Sequence, residues 1–375
     1  MKIVIVGTAS PLRGGIAHYN ALLFAALSER HSVSMVTFRR QYPGILFPGK
    51  TQKEEGGGEE FRIPSRVLVD SVNPFNWAAT GRILRAEKPD LLLFKYWLPF
   101  FGPCFGTIAR IVKRGSGTRV VYICDNVIPH EKRPGDRAFT RYAFQPADGF
   151  IVQSAAVERD LLALLPHARY ELIPHPVYHG FGKAVPQSEA RRHLGITARE
   201  VLLFFGYVRK YKGLGVLLEA MARLKDRTGL HLLVVGEFYE DEAPYREAIR
   251  TLGLEQTVTV RSDYIPNDEV KHYFSAADAV VLPYSSATQS GIAQIAFNFD
   301  TPVIATAVGG LTEIVRDGDT GLLVPPDDPA ALSAAITRFF SAMDRGHLRA
   351  RVREEKGKYS WENLVAAIER LARQP

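Results

Sequence analysis

The repeated alternation of short apolar runs with longer polar or amphipathic segments constrains the fold of this chain more than any other feature. Residues 2–7 read Lys-Ile-Val-Ile-Val-Gly, a continuous apolar run that predicts a strand buried on both faces. A loop of small residues follows over 8–15, then a predicted helix over 16–28 and a second strand over 32–38. This order indicates a parallel sheet whose connections cover its two faces.

The same alternation runs through the rest of the chain in two series. The first continues with predicted strands at 90–94, 119–123, 149–153 and 170–173. The second has predicted strands at 201–205, 230–235, 258–261, 279–282, 302–306 and 321–324, with helices at 214–225 and 243–252. We therefore predict an α/β protein made of two Rossmann-like, doubly wound parallel-sheet domains that face each other across a cleft.

The boundary between the two series is predicted in residues 174–186, which hold three prolines and two glycines. We expect an N-terminal domain over 1–178, a second domain over 187–357 and a final segment over 358–375. The helix predicted at 361–373 has an apolar face and no strand after it, so we expect it to pack back on the first domain. The polar stretch at 42–62 predicts a mobile loop.

Composition excludes several classes of protein. The chain has 375 residues, 46% hydrophobic and 23% charged, as folded multidomain soluble proteins do. Only two cysteines are present, which excludes a disulfide framework and a Cys-rich zinc module. The first apolar run ends after about six residues, which is short for a signal peptide, and no run of about 18 predicts a membrane span. We expect a cytoplasmic location.

The net charge of +7 is unevenly distributed. Residues 1–175 hold 23 Lys and Arg against 15 Asp and Glu, whereas residues 176–375 hold 24 against 25. This surplus predicts affinity of the first half for phosphorylated substrates or anionic lipid, with a chance excess of solvated cations as the alternative. We expect no nucleic-acid partner, because no zinc finger, RNP motif or interleaved aromatic-basic run is present.

Ligands of open α/β sheets bind beyond the carboxyl ends of the strands, so the loops that follow predicted strands are the candidate sites. Gly14 and Gly15 open the first helix, where backbone N–H groups can approach an anion, although a plain turn is the alternative. The loop after the strand at 201–205 carries a cluster of cations that includes Arg209 and Lys212. Such a cluster suits a diphosphate, with solvated loop cations as the alternative.

A further loop of the second series presents hydroxyl and amide groups. Thr288, Gln289 and Ser290 directly precede a helix predicted to begin near Gly291. The free N–H groups of its first turn offer an anion site, and the same hydroxyl groups can cap the helix.

In the first series, the loop after the strand at 119–123 brings Asn126, His130 and Glu131 to the predicted cleft. No metal site is predicted. His175 and His179 lie among prolines, which disfavour a helical pair of ligands, and no carboxylate is near them in the sequence.

Taken together, these stretches resemble the retaining glycosyltransferases of family 4, which have the GT-B fold. The resemblance rests on Phe-Gly-Tyr-Val-Arg-Lys-Tyr-Lys-Gly at 205–213, Val-Val-Gly-Glu at 234–237, Ala-Asp-Ala-Val-Val-Leu-Pro at 277–283, and Pro-Val-Ile-Ala-Thr at 302–306 followed by Gly309 and Gly310. With the Gly14-Gly15 loop and the last helix, it covers nearly the whole chain.

The resemblance implies that the second domain binds a nucleotide sugar and that Arg209 and Lys212 grip its diphosphate. The usual arginine of the family directly follows the glycine, whereas Tyr207 stands there in this chain. No cofactor and no metal ion are implied. The other implied donor contacts are Gly14, Gly15, Gly236, Glu237, Tyr264, Ile265, Thr288, Gln289, Ser290, Gly291 and Ile292.

The chain departs from the family at two positions that matter for the donor. Members usually carry two glutamates eight residues apart, one on the donor sugar and one on the ribose. The corresponding positions hold Ala287 and Ile295, which cannot make those hydrogen bonds. The histidine that often follows the first-domain strand falls at about Cys124, with Asn126 and His130 nearby.

The implied reaction is retaining transfer of a hexose-type sugar to a glycan or lipid-linked acceptor in cell-envelope polysaccharide or glycolipid synthesis. As catalytic residues, Arg209 and Lys212 would stabilise the leaving diphosphate, while Asn126 and His130 would orient the reactants. A leaving phosphate oxygen would take the acceptor's proton, as proposed for similar enzymes.

The acceptor is expected against the basic first domain. The implied acceptor contacts are Tyr96, Trp97, His130 and Glu131. The aromatic stretch at 94–101 and the apolar stretch at 104–112 predict peripheral association with the inner face of an anionic membrane. A buried crossover helix is the alternative.

Other functions remain open on the sequence. A non-catalytic nucleotide-sugar-binding protein of the same fold would account for the missing glutamates. A sugar-nucleotide epimerase would process donor without acceptor. Phosphorylase-like chemistry ranks last, because it needs a pyridoxal phosphate lysine and usually a longer chain.

Overall fold

Two α/β units divide the chain in a computed structural model that describes residues 1–43, 61–129 and 133–373. Unit 1 comprises Met1–Pro176 with Tyr359–Pro375, and unit 2 comprises Val177–Lys358. Residues 179–186, which the predicted domains left unassigned, belong to unit 2, as do residues 177 and 178, predicted in the N-terminal domain, and residue 358, predicted in the final segment. The loop predicted at 42–62 lies almost wholly outside the described residues.

The sheet of unit 1 is entirely parallel. Its strands are β1 (Lys2–Val6), β2 (Ser32–Arg40), β3 (Ser65–Asp70), β4 (Leu91–Tyr96), β5 (Arg119–Cys124), β6 (Gly149–Val152) and β7 (Tyr170–Leu172). They lie in the order β3-β2-β1-β4-β5-β6-β7. Helices connect them: α1 (Gly15–Ser28), α2 (Pro74–Ala86), α3 (Gly102–Lys113), α4 (Asp136–Phe144) and α5 (Ala155–Leu164). The central strands are fully buried, which explains their unbroken Val, Ile and Leu runs.

Unit 2 repeats this architecture with six parallel strands. They are β8 (Glu200–Phe205), β9 (Leu230–Val235), β10 (Val258–Arg261), β11 (Ala279–Leu282), β12 (Val303–Thr306) and β13 (Gly321–Val324), in the order β10-β9-β8-β11-β12-β13. The helices are α6 (Gln187–His193), α7 (Leu214–Ala222), α8 (Ala243–Thr251), α9 (Val270–Ala276), α10 (Gly291–Asn298), α11 (Leu311–Ile314), α12 (Pro329–Ala342) and α13 (Arg345–Glu355). Its core is formed by apolar side chains of β8, β9 and β11 with those of α7 and α12.

The last helix, α14 (Trp361–Arg373), belongs to unit 1. It packs against α1, β5, β6 and β7, and its apolar face is buried. A Cβ added to Gly149 at the start of β6 would lie 2.9 Å from Leu371 Cδ2, so the glycine lets the helix approach the sheet.

The two parallel sheets confirm the predicted α/β fold class, and most predicted elements end within one or two residues of the observed ones. The sequence analysis missed β3. This edge strand pairs only with β2, its side chains are mostly half-buried or exposed, and its register shifts near Phe38. An edge strand carries no long apolar run, so its composition did not mark it.

Candidate functional site

The predicted donor residues of unit 2 cluster where its strand order changes direction. From β8 the chain goes outward to β9 and β10, and it then returns to β11, on the other side of β8. The chain leaves two such strands in opposite directions, and open α/β sheets bind ligands beyond their carboxyl ends. Two loops meet this description: 206–213 after β8 (the β8 loop) and 283–290 after β11 (the β11 loop).

The two loops are in direct contact, and glycines make the contact feasible. The Ser285 N–H donates a hydrogen bond of 2.8 Å to the Tyr211 carbonyl. Gly213 has φ of +70°, and a Cβ on it would come 1.9 Å from the Pro283 carbonyl oxygen. Gly206, at the start of the β8 loop, has φ of +95°. Both positions therefore require the left-handed backbone that glycine adopts without strain.

Lys212 lies buried between the two loops, with only 8% of its surface exposed. A Cβ placed on Gly206 would lie 3.3 Å from Lys212 Nζ and 3.1 Å from Ile292 Cδ1, so the ammonium group lies close to the first turn of α10. The Nζ atom is 5.8 Å from the centre of the Tyr284 ring. Lys212 and the N-terminus of α10, each predicted from the sequence as an anion site, thus lie close together.

Burial, and to a smaller extent the charge of Arg209, lower the pKa of Lys212 to about 7. No carboxylate in the described part of the chain forms an ion pair with Lys212. A buried ammonium group without a counter-ion costs folding free energy. An anionic ligand would remove that cost by supplying the missing charge.

Arg209 begins the same turn but lies exposed. Its guanidinium carbon is 5.0 Å from the centre of the Tyr239 ring, and this ring lies 4.2 Å from that of Tyr207 with the two planes tilted by 34°. The backbone of Val208 holds this pair together, since it accepts a hydrogen bond from the Tyr239 N–H. Aromatic contact therefore restricts Arg209 while leaving its fork of N–H donors available to solvent.

The loop after β9 lies against the β8 loop. Gly236 has φ of +135°, and a Cβ on it would come 2.4 Å from the Gly206 carbonyl oxygen. The next residue, Glu237, is buried, and its carbonyl accepts a hydrogen bond of 2.8 Å from the Val208 N–H. Close backbone packing thus explains why a glycine directly follows this strand.

Tyr264 and Ile265 follow β10, one strand further from the two loops, and both are half-buried. The Tyr264 hydroxyl donates a hydrogen bond of 3.4 Å to Asn267 Oδ1. The structure therefore places them at the same edge of the sheet as the cations, one strand further along.

The β11 loop presents its polar side chains at the start of α10. Ser290 is buried, and its hydroxyl accepts a hydrogen bond of 3.3 Å from the Ala293 N–H, so it caps the helix as the alternative interpretation predicted. Thr288 and Gln289 before it, and Gly291 and Ile292 after it, are half-buried. One donor of the first turn is thus occupied, while the turn itself lies beside Lys212.

The two positions at which the family carries glutamates are apolar and buried. Ala287 meets the next loop closely, since a Cβ on Gly309 would come 1.6 Å from its carbonyl oxygen. Ile295 is buried within α10. Beside it, Gln294 is fully buried, and its side-chain amide has no hydrogen-bond partner among the described residues. The sequence analysis missed Gln294, which only burial identifies as unusual.

In unit 1 the order of the strands changes direction between β1 and β4. The turn after β1 contains Gly14, with φ of +112°, directly before α1. Gly15 is the first residue of that helix, and a Cβ added to it would meet no described atom within 4 Å. The positive φ therefore explains why residue 14 is a glycine, whereas neither backbone conformation nor packing explains the glycine at residue 15.

A buried charged network in unit 1 was not predicted. Lys95 on β4 is 1% exposed, and its ammonium lies 2.5 Å from Asp125 Oδ1 and 3.1 Å from Gln153 Oε1. It also sits 3.4 Å from the centre of the Tyr19 ring. Tyr19 lies on α1, while Asp125 and Gln153 directly follow β5 and β6. The network therefore joins the carboxyl ends of three neighbouring strands.

The network extends to the chain segments on either side of unit 2. The rings of His175 and Trp361 each lie 5.0 Å from the Tyr19 ring. Burial, and then the charge of Lys95, lower the pKa of His175 to about 4, so the imidazole is neutral at physiological pH. His175 is accordingly a packed residue of unit 1. No sequence motif could have predicted this packing, because Tyr19, His175 and Trp361 lie far apart along the chain.

The predicted acceptor residues of unit 1 have different environments. Tyr96 points into the core, where its hydroxyl donates to Thr140 Oγ1 at 2.9 Å, so the expectation that it contacts an acceptor is wrong. Trp97 is also largely buried, and its indole N–H donates to the Tyr42 hydroxyl at 3.0 Å. Asn126 is half-buried, and its amide donates to the Trp97 carbonyl. His130 and Glu131 lie outside the described residues.

The segment at 104–112 is part of α3, and its apolar side chains form the core of unit 1. The alternative interpretation, a buried crossover helix, therefore describes it, and this segment presents no apolar face for a membrane. Among the described residues, no helix combines the length and the hydrophobicity needed to cross a bilayer.

Comparison with known proteins assigns both halves of the chain. Residues 14–176 match the family described as "Glycosyl transferase 4-like domain", and residues 199–342 match "Glycosyl transferases group 1". The chain is 26% identical over 391 residues to a D-inositol 3-phosphate glycosyltransferase of Acidothermus cellulolyticus, covering 95% of this chain and 84% of that protein.

Two solved structures share the fold over their full length. A sucrose-phosphate synthase from Thermosynechococcus elongatus is similar with a TM-score of 0.75 and 21% identity, covering 100% of this chain and 99% of the other. The HepE protein of Anabaena, solved in complex with UDP and glucose, is similar with a TM-score of 0.78 and 17% identity, covering 99% of each chain. At such identities these likenesses establish a common fold.

Proposed function

Since the chain belongs to the family 4 glycosyltransferases of the GT-B fold, we propose that it transfers a hexose-type sugar from a nucleotide diphosphate sugar to a glycan or lipid-linked acceptor with retention of configuration. That it is a glycosyltransferase follows from the family. The donor class, the stereochemistry and the acceptor are our proposal.

The observation that carries the donor assignment is the unpaired charge at Lys212. This ammonium is buried beside the first turn of α10, at the point where the strand order of unit 2 changes direction. Cation and helix N-terminus both favour an anion, and Arg209 adds a bidentate donor in the same loop. A diphosphate has the charge and the length to contact all three. The Anabaena neighbour, solved with UDP and glucose, supports a nucleotide sugar as the source of that diphosphate.

The proposed reaction uses the same groups to stabilise a leaving anion. The bond between the anomeric carbon and the diphosphate oxygen breaks, and the bond to the acceptor oxygen forms on the same face of the sugar. The acceptor's proton passes to a leaving phosphate oxygen, so no strong protein base is needed. Charge develops on the diphosphate as that bond breaks, and Arg209, Lys212 and the α10 N–H groups interact more strongly with it then.

For unit 1 we propose the acceptor role. Its residues up to 175 carry the positive surplus, which suits a phosphorylated or lipid-linked acceptor in envelope polysaccharide or glycolipid synthesis. Asn126 follows β5 next to the Lys95–Asp125 pair, and the Gly14-Gly15 turn begins α1. These groups are proposed to orient the reactants, and no metal ion is proposed for the reaction.

The test compares cations of the β8 loop. Arg209→Ala and Lys212→Ala should each lower kcat/KM by more than ~10-fold, equivalent to about 1.4 kcal/mol of transition-state stabilisation. Lys210→Ala is the matched control, because Lys210 lies exposed between the two and has no proposed contact. Equal activity of all three variants and the parent would contradict the assigned diphosphate site.

The donor is identified by thermal shift with UDP, GDP, ADP and dTDP sugars. A ligand at about 100 times its Kd adds ~2.7 kcal/mol of stability, which such a measurement detects readily. With the matching donor and an acceptor, the anomeric configuration of the product by NMR tests retention, and an inverted product would refute it.

A second candidate function is nucleotide-sugar binding without catalysis. The specific observation in its favour is that Ala287 and Ile295 are buried and apolar at the positions where the family carries glutamates. A donor that stabilises the protein but is neither transferred nor hydrolysed with any acceptor would establish this function. Donor conversion without an acceptor would instead indicate an epimerase.

A further inference from the structure

Unit 2 contains a cluster of metal-ligating side chains away from the β8 and β11 loops. His193 is the last residue of α6, Glu269 directly precedes α9, and His272 lies in the first turn of α9. Each offers a ligand atom within 4.8 Å of the other two. His193 and Glu269 are 76 residues apart, so the sequence analysis did not bring them together.

The three side chains of the cluster lie within reach of a single ion. His193 Nε2 lies 2.8 Å from Glu269 Oε2, and the rings of His193 and His272 stack at 4.0 Å between centres. Ligands ~2.0–2.1 Å from a tetrahedral ion are about 3.3 Å apart. Because nitrogen lone pairs lie in the ring planes, one imidazole must turn out of the stack before both nitrogens can face one ion. All three residues are at least partly open to solvent, which gives an ion a path of entry.

His272 supplies an independent indication. Its Nδ1 atom is buried and has no hydrogen-bond partner among the described residues. A ring nitrogen in that position is costly unless a ligand or water meets it. His193 Nε2 already contacts the Glu269 carboxylate, so an ion that binds both side chains would take the place of the proton between them.

We propose that His193, Glu269 and His272 bind a divalent transition-metal ion of borderline softness, with Zn²⁺ as the probe, and that the ion ties the end of α6 to the start of α9. Two imidazoles and one carboxylate favour zinc, nickel, cobalt or copper over calcium or magnesium, which prefer oxygen ligands. Water or a second carboxylate completes the coordination. Glu189, one helical turn before His193, is the nearest acidic residue on that face of α6.

The proposed ion would add to hydrogen bonds that already join α6 to the end of α9. Arg191 on α6 donates to the Ala276 carbonyl and to Asp278 Oδ2, at 3.0 and 2.8 Å. Asp278 also accepts a hydrogen bond of 2.8 Å from the Val201 N–H in β8. Because these bonds hold the middle of α6 against the end of α9, the ion would fix the opposite ends. Its effect would be structural and independent of the proposed transfer reaction.

Equilibrium dialysis of the full chain with Zn²⁺, after chelator treatment, tests the proposal. We expect one ion per chain, a rise in Tm that chelator reverses, and an X-ray absorption spectrum with two imidazole nitrogens at ~2.0–2.1 Å. His193→Ala and His272→Ala should each weaken binding by more than tenfold. His347→Ala is the matched control, because His347 lies exposed on α13 outside the cluster.

Glu269→Gln is the second variant, which keeps the shape of the side chain and should fold even where a histidine variant does not. The two cysteines do not compete for zinc, since both are buried in unit 1. Substoichiometric binding, equal affinity of the parent and the cluster variants, or a coordination shell without imidazole would each overturn the site.

Discussion

At Lys212 the proposed role in donor binding carries a cost in folding stability. Its ammonium is buried, its pKa is lowered to about 7, and no described carboxylate offsets the charge. In the unfolded chain the same group titrates near its ordinary value of about 10.4. Below pH 7 the folded protein therefore carries the full cost of the buried charge, and the cost declines as pH rises from 7 towards 10.

Lys212→Met should consequently stabilise the protein while abolishing donor binding. The methionine keeps the length of the side chain and removes the buried charge. Each ~1 kcal/mol recovered raises Tm by about 2–4 °C for a unit of this size. The gain should be largest at pH 6 and shrink towards pH 10, whereas kcat/KM should fall more than ~10-fold.

Thermal unfolding at both pH values and steady-state kinetics measure these effects. A variant that is less stable than the parent at pH 6 would show that the ammonium has a partner in the folded protein. A variant that keeps full activity would remove Lys212 from the donor site.

Gly15 allows an equally clean test in unit 1. A methyl group there meets no described atom within 4 Å, and alanine favours a helix over glycine by about 1 kcal/mol. Gly15→Ala should therefore leave Tm unchanged or raise it. If a phosphate approaches this backbone, the methyl group should raise the KM for the donor more than ~10-fold.

Gly14→Ala is the instructive comparison, because φ of +112° makes any side chain strained at that position. A loss of stability there with normal KM in Gly15→Ala would mean that the glycine pair only turns the chain.

At the scale of elements, the packing of α14 predicts how much stability a substitution in its buried face removes. Its face formed by Trp361, Leu364, Ile368 and Leu371 is buried against unit 1. Ile368→Ala removes fully buried atoms and should cost about 2–5 kcal/mol of unfolding free energy. Hydrogen exchange should speed up in β5 and β6 and remain unchanged in β8.

Asn363→Ala, on the exposed face of the same helix, is the control. Faster exchange in β8 than in β5 would mean that α14 stabilises unit 2, contrary to its observed packing.

At the scale of the whole molecule, the net positive charge lies in the part of the chain that forms most of unit 1. The surplus among residues 1–175 predicts that the protein associates with vesicles of anionic lipid and that about 0.5 M salt releases it. Vesicle flotation measures this, with neutral lipid as the control. The apolar contribution cannot come from α3, whose apolar side chains are buried.

Absence of binding to anionic vesicles at low salt would remove the membrane proposal. Equal binding to neutral vesicles would assign the attraction to apolar contact instead. Phe75 on α2, 88% exposed, is the most accessible large hydrophobic side chain among the described residues of the unit.

The sequence by itself determined the fold class, nearly all strands and the cations of the β8 loop. Strands buried on both faces must be continuous apolar runs, and glycines with positive φ must end them where loops touch, as at Gly206 and Gly236. These are local requirements of the backbone, so they leave a local signature in the chain. The edge strand β3 has weaker requirements and was missed for that reason.

Only the tertiary structure decided which polar residues are buried and what they contact. Lys95 lies on β4, Asp125 and Gln153 directly follow β5 and β6, and His193 and Glu269 are 76 residues apart, so no short spacing in the sequence links them. Tyr96 was predicted to contact an acceptor, and the segment at 104–112 to lie at a membrane surface or in a buried crossover helix. Both contribute to the core of unit 1. Burial depends on how elements pack, and it sets both the pKa of Lys212 and the side chains a ligand can reach.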